Sequence, residues 1–316
     1  MDRGGMNRRD FLKLAGGAAG LAAASGSIPA FAKAAPAPHP KGGAVVGAAS
    51  GPGVAANVRR AIAAVGGIGA FVSRGDVVVL KPNIGWDRKP EQAADTDPEL
   101  VVAVAELCLS AGAKSVRVFD RTCNEPRRCY VNSGIQDAVE RFAAKSGAGR
   151  SVQIYHVEDR KFVRTVIPGA TAMKEWELYR DALEADKIIN LPVAKHHSLA
   201  GITLGLKNMM GIMGGNRGQL HFNLADCLVD LQRRIPARLT VIDATRVLLR
   251  NGPSGGNLAD VKAFNTVFAS GNALAADLAA ADRIFGFKAA DVAHLKKALD
   301  SGLWFSSPSA WRIAEG

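Results

Sequence analysis

From about residue 43 onward, short β-branched runs alternate with longer stretches of helical period, and this alternation confines the chain to the α/β class. Ala44–Ala48, Val77–Leu80, Ser115–Phe119, Lys187–Leu191, Leu239–Ile242 and Thr266–Ala269 read as strands, and residues 152–157 and 162–167 as extended segments. Helices are expected over Val54–Val65, Pro98–Ser110, Ile135–Lys145, Thr203–Ile212, Leu224–Ile235, Ala273–Phe285 and Val292–Ser301. Asp97 stands just before Pro98, where an N-cap followed by a proline in the first turn belongs. Helices between successive strands predict a mostly parallel sheet covered on both faces. The sheet would form a single α/β domain over 43–316, whether undivided or built as two closely joined lobes.

The N-terminus is of another kind. Asn7-Arg8-Arg9-Asp10-Phe11-Leu12-Lys13 precedes a weakly apolar run rich in Ala and Gly, which ends in Ala30-Phe31-Ala32 and Ala32-Lys33-Ala34. A basic start, a modest apolar stretch and a small-x-small cleavage site define a processed export segment, and the paired arginines select the twin-arginine route. The sequence thus predicts a signal over 1–32 and a linker over 33–42. It also predicts transient contact with the twin-arginine translocase and a periplasmic destination. The run is too short and too weakly apolar for a permanent membrane anchor. Because the route carries folded cargo, a cofactor is favoured without being named.

The net charge is +11, from 40 Lys and Arg against 29 Asp and Glu. These charges are scattered rather than gathered into a basic stripe with interleaved aromatics, so no nucleic-acid partner is expected. None of the four cysteines forms a Cys-x-x-Cys pair. Cys108 belongs to an apolar helical stripe and reads as a buried thiol, with Cys227 similar. Cys123 and Cys129 bracket a short basic loop and can pair as a disulfide, remain free, or give thiolates to a metal.

Ligands of open parallel sheets bind beyond the carboxyl ends of the strands. Chemistry-bearing residues stand just past those ends here: Lys81 and Asn83; Asp120 and Cys123; Lys195, His196 and His197; Asp243. The adjacent histidines must point to opposite sides of an extended segment, and His196 is taken as the one facing the ligand. Lys207-Asn208 lies between Leu206 and Met209, where a lysine must either snorkel or meet an anion. Two glycine-rich stretches, 211–218 and 252–256, allow close backbone approach, with Gly255 a candidate ligand contact. Neither fits a P-loop or dinucleotide fingerprint. His221 comes shortly after the first of them.

Several of these segments carry a resemblance. They are Lys81-Pro82-Asn83, Thr96-Asp97-Pro98-Glu99, Ala111-Gly112-Ala113-Lys114, Leu191-Pro192-Val193 with Lys195-His196, and Leu206-Lys207-Asn208-Met209-Met210-Gly211. With Val241-Ile242-Asp243-Ala244, Gly252-Pro253, Gly256 and the stretch 270–277, their order and spacing resemble the family catalogued as domain of unknown function 362, over about residues 43–290. The resemblance implies an α/β domain of unsettled activity, often joined to a ferredoxin-like module. This chain has no Cys-x-x-Cys-x-x-Cys run, so no cluster of that type is expected.

The preferred reading is an exported enzyme, or enzyme-like protein, acting on a small anionic ligand. Lys81, Lys195 and Lys207 would neutralise it, with Asn83, Asn208 and Gly255 as further contacts. His196 or Asp243, with Lys207, would carry the catalytic chemistry. Asp120 with Cys123 or His221 would hold a divalent metal. A non-catalytic binding protein and an accessory partner of a redox enzyme stay open beside it.

Overall fold

The computed structural model describes residues 43–305 and 310–316; the expected signal and linker, 1–42, lie outside them. The strands are β1 (Ala44–Ser50), β2 (Val77–Pro82), β3 (Ser115–Val118), β4 (Val152–Ile154), β5 (Phe162–Val166) and β6 (Glu175–Tyr179). They continue as β7 (Lys187–Leu191), β8 (Val193–His197), β9 (Gly201–Thr203), β10 (Leu239–Leu248), β11 (Val261–Ser270) and β12 (Trp311–Glu315). The α-helices are α1 (Val54–Ala63), α2 (Pro98–Ser110), α3 (Pro126–Asn132), α4 (Ile135–Lys145) and α5 (Arg180–Glu184). After these come α6 (Gly205–Asn208), α7 (Leu224–Arg234), α8 (Ala273–Ala280) and α9 (Ala293–Asp300).

One sheet dominates, in the order β12-β1-β11-β10-β7-β2-β3-β4. From β10 to β4 every pairing is parallel, as expected. Beyond β10, β11 runs antiparallel to both β10 and β1, so the sheet is mixed. The strand periodicity foresaw only the second half of β11 and the first half of β10, because the distal halves of this long pair carry polar residues. β5 and β6 form a separate antiparallel pair.

The Val77–Leu80 run is apolar at every position because both of its faces are covered. Val78 and Leu80 pack with α1, α2 and α4, whereas Val79 packs on the other side with Phe119, Leu178 and Met209. Period two therefore puts Lys81 on the Val79 face. Register extends this across the sheet: Lys81 lies beside Asn190 of β7, and Asn190 beside Thr240 of β10. A polar row thus crosses the buried sheet near its carboxyl edge, where α6 lies against it. Asp97 caps α2 as expected, its side chain accepting from Glu99 N at 2.8 Å.

Two elements depart from expectation. Pro192, which has no N–H for the ladder, interrupts the strand after Leu191, and the chain resumes as β8 beside β10. Lys195, His196 and His197 are therefore strand residues, not loop residues. The helix expected over 203–212 is broken: Thr203 closes β9, α6 supplies one turn, and Met209–Ile212 tightens into a 3₁₀ turn. An apolar run of this length does not reveal how many turns it makes.

So short a helix is held by its surroundings. Asp277 of α8, fully buried, accepts from Gly205 N at 2.6 Å and Leu206 N at 2.9 Å, satisfying two donors that open α6. A side chain at Gly205 would meet Asp277 and Thr240 at 2.8 Å. Replacing Asp277 by Ala leaves both N–H groups buried and unpaired, and urea unfolding is expected to show a loss of about 3 kcal/mol.

Candidate functional site

Asn208, the last residue of α6, uses all four hydrogen-bonding positions of its amide. Its Nδ2 donates to Lys81 O at 3.1 Å and to Asn190 Oδ1 at 2.8 Å. Its Oδ1 accepts from Lys81 Nζ at 3.1 Å and from Asn83 Nδ2 at 2.9 Å. One side chain thereby fastens α6 to the ends of β2 and β7 and fixes the headgroup of Lys81. Asn83 passes the order on, since its Oδ1 accepts from Lys195 Nζ at 3.3 Å. Lys195 also donates to Ala94 O and lies 5.9 Å from the centre of the Trp86 ring.

Lys81 is fully buried and paired with Asp120 at 2.8 Å. Burial pushes its pKa down, and Asp120 acts against that shift. The other oxygen of Asp120 accepts from Ile84 N at 2.7 Å. The pair has room only because position 211 has no side chain: a Cβ there would stand 1.8 Å from Asp120 Oδ1 and 2.6 Å from Lys81 Nζ.

Above this layer opens a cavity of about 520 Å³. Five cationic side chains line it (Lys81, Lys195, Lys207, Arg121 and Arg217) against the one carboxylate of Asp120. The arginines also brace loops: Arg121 donates to Met213 O and Gly215 O, and Arg217 to Arg121 O and Thr122 O. Lys207 differs from all four. Among the described residues it has neither hydrogen bond nor ion pair, although it is mostly buried. Burial brings its pKa down to about 8; Cys123 opposes this, and Arg217, Lys195 and Lys81 reinforce it. Lys195 is likewise lowered by burial, with the buried Asp95 partly restoring it.

Two histidines complete the wall, stacked with ring centres 5.6 Å apart. His197 Nδ1 accepts from Leu199 N at 3.2 Å and Ala200 N at 3.3 Å. Burial, with Lys207 nearby, lowers its pKa to about 3, so the ring is neutral and carries its proton on Nε2. His221 is the reverse tautomer: a carbonyl only accepts, so its Nδ1 donates to Gly218 O at 3.0 Å, leaving a lone pair on Nε2. Burial lowers His221 as well. The cavity therefore offers a neutral donor beside a neutral acceptor.

Lys81, Asn83, Lys195, Lys207 and Asn208 thus meet at one cavity. Three expected members do not join them. His196 shares the opposite side of β8 with Ala194, and its Nδ1 accepts from Gly252 N at 3.1 Å; His197 is the histidine that faces the cavity. Asp243 lies within β10, on the Val241 face, since that strand continues to Leu248. There it accepts from Asp97 N at 2.8 Å and Thr245 Oγ1 at 2.6 Å, and so supports the start of α2. Gly255 packs on Leu248, which a Cβ would meet at 2.7 Å, and its carbonyl faces Arg88.

The expected metal ligands Asp120, Cys123 and His221 all line the cavity, each with other partners there. Asp120 is committed to Lys81 and Ile84, His221 faces His197, and Cys123 Sγ takes a guanidinium N–H of Arg217 at 3.4 Å. No group of three His, Cys, Asp or Glu among the described residues is placed to hold a metal. Cys123 and Cys129 are both free; the first is exposed, the second buried with Sγ 3.8 Å from Gly85 O. Trp86, Asp95 and Arg217 were not singled out from sequence. They sit in loops, where position along the chain gives no sign of direction, although Arg217 falls inside the noted glycine-rich stretch.

A parallel-rich α/β sheet with a lysine-lined cleft at its carboxyl edge defines the class of protein. This chain belongs to the family described as Domain of unknown function (DUF362), whose model matches residues 78–282. It is 27% identical over 214 residues to a thylakoid-associated protein of Synechocystis sp. (strain ATCC 27184 / PCC 6803 / Kazusa), a match covering 65% of this chain and 63% of that relative. Among solved structures, the lactate racemase apoprotein of Thermoanaerobacterium thermosaccharolyticum is similar over 72% of this chain and 54% of its own, at 12% identity and a TM-score of 0.44. A Thermotoga maritima protein is similar over 64% and 52%, at 13% identity and a TM-score of 0.32.

Replacing Gly211 by Ala sets a methyl group against the Lys81–Asp120 pair. Breaking a buried pair typically costs about 3–5 kcal/mol, and a loss of that order is expected in chemical unfolding of the variant.

Proposed function

We propose that this chain is an exported enzyme that binds a small, multiply charged anion in the lysine-lined cavity and acts on it by proton transfer. The unpaired amine of Lys207, in a cavity already rich in cations, carries the reading. A cation held this way without a counterion is destabilised until an anion arrives. Lys195 and Lys207 would neutralise the ligand, His197 would donate a hydrogen bond from Nε2, and His221 would accept a proton at Nε2. Lys81 and Asp120 serve as the floor. Export is supported by Asn7-Arg8-Arg9-Asp10-Phe11-Leu12-Lys13 and the small-residue cleavage sites after it.

Thermal melting in inorganic phosphate and in a series of carboxylates tests the anion site. The wild-type protein is expected to gain stability with ligand concentration. Lys207→Ala should weaken the apparent affinity about 10- to 100-fold, the range for losing a hydrogen bond to a charged group. No shift with any anion, or the same shifts in Lys207→Ala, would refute the site.

The pH dependence has a definite sign. Lys207 loses its proton near pH 8 when folded, whereas an unfolded lysine keeps it to 10.5. Stability of the free protein therefore rises with pH between those values, while the anion-induced gain fades as pH passes about 8. Export is tested separately, by replacing Arg8 and Arg9 together with Lys. Unprocessed precursor should then accumulate in the cytoplasm; normal periplasmic processing would contradict the assignment.

A further inference from the structure

We propose that Lys207 is a nucleophile that condenses with the carbonyl carbon of a 2-oxo acid and holds it in the cavity as an iminium. The proposal rests on the anion-binding reading and names its substrate class.

Three lysines line the cavity, but only one has its amine to spare. Lys81 Nζ is paired with Asp120 and donates to Pro82 O at 2.6 Å and Asn208 Oδ1. Lys195 Nζ donates to Ala94 O and Asn83 Oδ1. Each of these headgroups is held in place by its hydrogen-bond partners. Lys207 donates to no described residue, and its stem rises from a short helix held by Asp277 and Asn208. Its side chain is mostly buried, and burial is the largest influence on the amine. Burial and neighbouring cations keep its pKa near 8, which leaves roughly a tenth of the amine neutral at pH 7. A desolvated lysine beside other cations is the recognised way to make this weak nucleophile reactive.

The same cavity dictates the electrophile. An amine adds to a carbonyl, and the surrounding positive charge selects a carbonyl compound that is itself an anion. A 2-oxo acid is the smallest molecule with both features on adjacent carbons, so its carboxylate can meet Lys195 while its carbonyl meets Lys207. His197 Nε2–H suits the carbonyl oxygen. In the step, the Nζ lone pair forms the C–N bond and the carbonyl π pair moves to oxygen. Nitrogen gives up one proton, and the oxygen takes up two in all, one of them from solvent. Water then leaves as the C=N bond forms, and the iminium restores the positive charge that the free amine had lost. With the iminium nitrogen as electron sink, a proton on the carbon beside C=N can pass to His221 Nε2, giving the enamine.

Pyruvate with sodium cyanoborohydride tests this on the full-length protein. Peptide mass spectrometry should locate an adduct, one pyruvic acid less one oxygen, on the peptide bearing Lys207. Lys207→Arg keeps the charge but not the nucleophile. It should lose the adduct at least about tenfold while keeping a phosphate-induced melting shift. A pyruvate-induced shift without an adduct at Lys207, or equal labelling of surface lysines, would overturn the proposal and leave the anion site standing. Loss of both the pyruvate and the phosphate shifts in the wild-type protein would instead bring down the anion site, and this proposal with it.

Discussion

The side-chain amide of Asn208 is the constraint on which the site depends. It sits where two parallel strands end and a one-turn helix begins, and none of these could hold its position alone. A helix this short has almost no stability of its own, and strand ends leave backbone groups without ladder partners. By accepting twice and donating twice, Asn208 satisfies Lys81 O, orients the Lys81 ammonium and closes on Asn190. Any other side chain of similar size would leave at least one of these buried groups unpaired.

That arrangement sorts the lysines into two roles. Lys81, immobilised between Asp120 and Asn208, has its headgroup fixed by these partners, with burial pulling its pKa down and Asp120 acting against that shift. Lys207, one residue before Asn208, shares the rigid support but none of the partners. Lys81 comes from β2 and Lys207 from α6, so one forms the floor while the other enters the cavity from the helix. Positive charge left uncompensated on a rigid frame is a form of preorganisation, since the protein need not rearrange when an anion arrives.

Much of this was legible from sequence because strand ends in a parallel sheet converge. Lys81, Asn83, Lys195, Lys207 and Asn208 were readable from their places just past or within apolar runs, and the parallel core of the sheet from helices between strands. The losses share a physical cause. Parity says that His196 and His197 diverge, but which of them faces inward depends on how β8 docks on β10 and β9, a long-range matter. Asp243 misled because its strand continues for five residues beyond it, so it is not a terminus. The antiparallel turn of β11 left no mark, since antiparallel and parallel strands with two covered faces have the same composition. Glu175–Tyr179 mixes acidic and aromatic residues, a pattern set by its partner β5 rather than by any period of its own.

The pairing of β12 with β1 has a consequence for how the molecule is made. Trp311 to Glu315 lie in register with Ala44 to Ala48, so this ladder closes a loop of nearly the whole described chain. Contacts between residues so distant in sequence are slow to form, and β12 can reach its place only after nearly all of the described chain has been made. Until then β1 offers a bare edge to any passing strand, the kind of surface through which nascent chains aggregate. Chaperone attention during synthesis would be best directed at that edge.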